Sequence, residues 1–170
     1  MNRNPIIVLA ALFAAICATP AMPGGAAAEL LNTHRIPAAL ALEAVGEAVA
    51  VCAKGGYAET AVLVDADGVK QALLRGDGTG PHSLNSAEGK AYTSVTLRAD
   101  TEAVVQRAKN DPVIANVIAK LPNMLLDGGG LVIKINGEVI GAIGASGAPG
   151  GDLDEHCARA GLDKIMSRLQ

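Results

Sequence analysis

The chain has 170 residues, half of them apolar but only 2% aromatic, and its 14 Lys and Arg stand against 17 Asp and Glu for a net charge of −3. With no Trp and no basic excess, it lacks both the field and the stacking platforms that nucleic-acid binding uses, so nucleic acid is excluded as a partner. The length suits one domain with one sizeable core.

Arg3, an apolar run from Ile6 to Ala18 and a small-residue zone ending Ala26-Ala27-Ala28 have the order of a secretory signal peptide. Cleavage is expected after Ala28, so that residues 1–28 are removed and the protein is periplasmic or secreted. The apolar part is too short for a stable membrane anchor. Cys17 does not make this a lipoprotein signal, because Ile16 is a poor fit for the small residue that lipid attachment needs. Processing would leave 142 of the 170 residues and, by removing Arg3 and no acid, take the net charge from −3 to −4. Residues 29–36 then read as a flexible leader and residues 37–170 as a single domain. Its two cysteines, Cys52 and Cys157, have no Cys-x-x-Cys partner and no zinc spacing. Two buried free thiols are the favoured reading, and a bridge forms only if the Cα atoms come within about 7 Å.

Pro37 begins an amphipathic helix with Leu40, Ala44, Val45, Ala48, Val49 and Cys52 on its apolar side, stopped by Gly55-Gly56. Two strand-like runs, Ala61 to Val64 and Val69 to Leu74, flank Asp67-Gly68. Leu131 to Ile135 and Glu138 to Ile143 flank Asn136-Gly137. Both pairs predict antiparallel hairpins whose central turn residues have positive φ. Between them, a capping box of Asn85 with Glu88 is expected to open a helix to about Leu97, Thr101 a second, and Asp111-Pro112 a third that Pro122 ends. A short strand is expected near Met124 to Leu126, and a last helix from a capping box of Asp152 with Glu155. This order predicts an α+β fold: a mostly antiparallel, five-stranded sheet with helices packed on it, profilin-like or PAS-like in outline, with the first and last helices on one face.

The segment Gly80 to Ser94 gathers His82, Glu88, Lys90, Tyr92 and Thr93 on one helix, where they could line a pocket. The plain alternative is an exposed helix end with Lys90 solvated and Tyr92 half buried. The run Gly141 to Gly147 superficially suggests a phosphate cradle, but Asp152, Asp154 and Glu155 at the following helix start would repel phosphate. Its glycines are better read as close packing of a strand on a helix or a neighbouring subunit. No Gly-x-Ser-x-Gly elbow surrounds Ser146, which disfavours a hydrolase.

Gly80-Pro81-His82-Ser83-Leu84, Lys90-Ala91-Tyr92-Thr93 and Gly137 to Gly147 resemble segments of the GlcG/HbpS family of haem-binding or haem-degrading proteins, and the resemblance covers essentially the whole of residues 29–170. It implies a pocket for haem that includes Lys90, Tyr92, Thr93 and His82, with His82 or Thr93 as the iron ligand. Imidazole is the stronger donor, and a hydroxyl would hold haem loosely. His156, where similar sequences carry a small residue, is a further ligand candidate, and Asp152 to Glu155 contain an acid-x-x-acid pattern of a kind proposed to bind iron in relatives. The function implied is an exported protein that sequesters or relays haem, with redox turnover or haem breakdown carried by the cofactor. The alternatives are a small-carboxylate binder or accessory enzyme of the glycolate type, using Lys90 or Arg98, and an oligomeric structural protein with a vestigial pocket. The resemblance also implies a homo-oligomer.

Overall fold

A computed structural model describes residues 31–169; the expected signal peptide and cleavage point lie outside them. Helix α1 (Ala38–Lys54) precedes a hairpin of β1 (Thr60–Asp65) and β2 (Lys70–Arg75). Helices α2 (His82–Leu97), α3 (Thr101–Asn110) and α4 (Pro112–Ile118) follow. A second hairpin, β3 (Gly130–Ile135) and β4 (Glu138–Ser146), leads into α5 (Gly151–Met166). The sheet is antiparallel in the order β2-β1-β4-β3, so the two hairpins join through β1 and β4.

Both hairpins form, with different turns. Asn136 and Gly137 both take positive φ, as a two-residue turn with the strand twist demands. In the first hairpin only Gly68 does, and the Asp65 carboxylate accepts the N–H groups of Asp67 and Val69 instead.

Among the described residues the sheet has four strands, not five. The place a fifth would take beside the edge strand β3 is filled by side chains: the Asp100 carboxylate accepts the Val132 N–H at 3.0 Å and Thr101 Oγ1 that of Gly130 at 2.8 Å. The segment expected to be that strand gives the Leu125 N–H to Thr93 Oγ1 at 2.8 Å. Edge hydrogen-bonding groups are thus satisfied without a neighbouring strand.

Helices α1 and α5 share one face, as their small residues predict. Gly161 lies against the Ala44 carbonyl and the Ala48 methyl, and the main core of Ala41, Val45, Leu63, Leu131, Ile133, Ile143, Leu162 and Ile165 closes around them. This close packing overturns the reading of free thiols: Cys52 of α1 and Cys157 of α5 are bridged, with Cα atoms 5.5 Å apart. Helix α2 covers the opposite face, with Ala87, Ala91 and Val95 on Val62, Val64 and Ala142.

Two expected caps are absent. Pro81 is already helical (φ −64°, ψ −23°), so α2 starts at His82 and Asn85 lies inside its first turns. At α5 the N-cap is Gly150, and Glu155 turns to Arg159 at 3.2 Å instead of to the helix start. Nor does the whole leader hang free: Ile36 is buried, Arg35 pairs with Asp65 and Asp67, and the His34 ring meets Glu138 at 2.6 Å.

Candidate functional site

Helix α2 has two working sides because its residues are alternately small and polar. The side toward the sheet carries Ala87 and Ala91, which let β4 approach closely. The outward side carries His82, Asn85, Ser86, Glu88, Gly89 and Tyr92. With Gly68 of the first turn and Asn123, Met124 and Leu125 of the segment after α4, these line a cleft of about 680 Å³. That volume lies within the range of small-molecule and cofactor sites. Tyr92 is half buried and packs against the Gly68 turn, where an added Cβ would stand 2.9 Å from its ring. His82 is exposed at the opening of α2. Glu88 on the wall is tied to Lys70 at 2.5 Å.

The expected pocket residues therefore separate. Tyr92 and His82 line the cleft; Lys90 and Thr93 lie behind it and are completely buried. Thr93 is held by the Leu125 N–H, so a ligand reaches its hydroxyl only by displacing the 123–125 segment. Lys90 points through to the α5 side, where its ammonium meets Asp154 at 2.6 Å and Asp127 at 2.8 Å. A lysine so paired does not offer its charge to a ligand carboxylate, and Arg98 does not line the cleft either. His156 is exposed on α5 and His34 is tied to Glu138; neither lines the cleft. Of the acidic pattern on α5, Asp154 is buried against Lys90 and also accepts the Ala148 N–H.

Two features were missed in the sequence. Met124 brings a thioether to the cleft wall opposite α2, a haem-ligand type that its place in an expected strand concealed. Glu59, just before β1, is 1% exposed. Desolvation by burial, and then the charge of the nearby Asp154, push its carboxyl up to about 8. Glu59 Oε2 stands 3.3 Å from Cys52 Sγ, while Oε1 has no hydrogen-bond partner. With both sulfurs bridged, the grouping of Cys52, Glu59 and Cys157 offers a metal no thiolate.

Comparison with protein families matches residues 36–163 to the model described as haem degrading protein HbpS-like. Among solved structures, HbpS is 36% identical, with a TM-score of 0.73 over 79% of this chain and 93% of that one. A double Glu-to-Asp mutant of HbpS from Streptomyces reticuli is 35% identical, with a TM-score of 0.73 over 87% of this chain and 97% of that one. A PduOC complex with haem, at 22% identity and a TM-score of 0.67 over 72% of this chain and 89% of that one, shares the fold. No match is found among curated proteins. With most of its length matched by the family model and 36% identity to HbpS over 79% of the chain, the chain belongs to the HbpS-like haem-degrading protein family.

Proposed function

We propose that this protein is exported and binds haem in the cleft along α2, sequestering it or passing it on. The observation that carries the reading is a cleft of about 680 Å³ with an imidazole, a phenol and a thioether on its walls, in a chain of a haem-degrading family. The helix-flanked sheet is read with it as a profilin-like or PAS-like binding fold. The donor set fits the group. His82 supplies the stronger iron donor, Met124 would add a thioether from the segment after α4, and the ring of Tyr92 offers a flat apolar surface for a flat guest. Lys70, released from Glu88, is the cation for a propionate at the rim. Bound haem would supply one-electron redox chemistry; the chain's part is to hold, orient and shield it. The likeness to PduOC, solved in complex with haem, adds a protein of the same fold that binds haem. The small-carboxylate alternative loses support because, of its two candidate cations, Lys90 is already paired by two acids and Arg98 does not line the cleft.

Titrating residues 29–170 with haemin is expected to raise a Soret band, and His82→Ala to weaken binding by roughly tenfold or more. Thr93→Ala is expected to act less, through the packing of Leu125. An unchanged spectrum and unchanged thermal stability across the titration would overturn the reading.

A further inference from the structure

On the other face of the sheet, a carboxyl abuts a disulfide at the end of a buried line of charges. We propose that the Cys52–Cys157 bridge is a thiol–disulfide exchange site for a dithiol reductant, and that Glu59 gives a proton to Cys52 when the bridge opens and takes it back when the bridge closes.

Geometry carries the assignment. A bridged sulfur has no hydrogen to donate, so the 3.3 Å contact of Glu59 Oε2 with Cys52 Sγ is a hydrogen bond only when the carboxyl holds the proton. The other oxygen, Oε1, is buried and unpartnered. An orphaned carboxyl oxygen beside a redox-competent bond calls for an explanation, and a structural disulfide between two packed helices needs no acid next to it. Titratable groups connect this carboxyl to solvent. Glu59 neighbours Asp154 of α5, Asp154 meets Lys90 of α2 at 2.6 Å, and Lys90 meets Asp127 at 2.8 Å, whose side chain is 52% exposed. Across a second cavity of about 270 Å³, Tyr57, Arg75 and Asp77 face Glu59 beside Val49 and Ala53 of α1. That cavity borders Val49 and Ala53 of α1, on either side of Cys52 in sequence; the bridge itself is buried, with Cys52 1% and Cys157 3% exposed, so a reductant reaches it through a local opening of α1 beside the cavity.

The step balances. One thiolate of the reductant attacks Cys157 Sγ, the bridge breaks, and Cys52 leaves with the electron pair and takes the proton of Glu59. The second thiolate of the reductant closes on the mixed disulfide and releases Cys157, which is protonated from solvent. The reductant departs as its own disulfide, and the two protons it shed replace those taken up, one of them returning to Glu59 through Asp154, Lys90 and Asp127. The site thus takes two electrons and two protons from the dithiol.

The test is native-state reduction of the full chain by dithiothreitol from pH 6 to 9, read by thiol alkylation and mass. The bridge is expected to be reduced faster than the chain unfolds, with a rate profile inflected near about 8, where Glu59 titrates. Glu59→Gln is expected to slow reduction by roughly tenfold and remove that inflection, since an amide cannot relay a proton. Should Glu59→Gln fail to fold, Asp127→Asn at the exposed end of the line is expected to shift the inflection. Reduction no faster than unfolding, or an inflection identical in wild type and variant, would overturn the proposal.

Discussion

The two faces of the sheet are closed by opposite means. The face under α1 and α5 is filled by branched aliphatics and locked by a covalent bridge between the helices. The face under α2 holds little apolar volume; alanines and a glycine draw the helix almost onto the strands, and its polar flank stays open as a cleft. Stability resides on one side, and on the other the helix is seated so close that its outward side chains have fixed positions. A binding wall gains from such seating, because side chains held in place lose less entropy when a ligand arrives.

The harshest way to break this contrast is at Gly144. An added Cβ there would stand 2.2 Å from the Ala87 carbonyl and 2.7 Å from the Ala91 amide, both backbone atoms that cannot yield. Gly144→Val is expected to destabilise by about 4 kcal/mol or more, or to prevent folding, in urea denaturation. A cost below about 1 kcal/mol would mean that α2 can lift from the sheet and that the cleft wall is not rigid.

On the opposite face the matching change is Cys52→Ala with Cys157→Ala. The bridge spans 105 residues of sequence. Its loss should cost about 2–4 kcal/mol, less than the Gly144 change, because the aliphatic packing of α1 on α5 survives it. Haem affinity should be unaffected. A shift in haem affinity with the double variant would show the two faces to be coupled.

Much of this contrast could be read from the chain. The first and last helices were expected on one face, and the glycines of Gly141 to Gly147 announced a strand pressed on a helix or a neighbouring subunit. What stayed hidden were choices made by tertiary partners. Asn85 and Asp152 carried sound capping patterns, yet Pro81 starts α2 early, and at α5 Gly150 takes the N-cap while Glu155 turns to Arg159. Local patterns assume that nearby backbone is the best partner for a polar side chain; Arg159 offered Glu155 a charged one. Lys90 misled for the same reason. In an isolated helix it belongs among solvated residues, and nothing in its neighbourhood in sequence marks Asp127 and Asp154 as its partners. Free thiols were favoured over the disulfide because the distance between Cys52 and Cys157 depends on how α1 meets α5, which spacing does not encode.

The smallest expected effect sharpens the comparison on the outer side of α1. Gly46 sits in the middle of that helix, and a Cβ added there would meet nothing within 4 Å. Glycine in a helix interior leaves the unfolded chain more freedom than alanine does, so Gly46→Ala should stabilise by about 0.5–1 kcal/mol. The midpoint of urea unfolding should rise accordingly and be independent of protein concentration. One turn earlier, Leu42 is 60% exposed on the same stripe. A partner docked there would use Leu42 as an anchor and the bare Gly46 backbone as its point of closest approach. If Gly46→Ala instead destabilises, and does so more at high protein concentration, then a second copy covers this side of α1 in solution, and the face locked by the disulfide would be a subunit interface as well as a core.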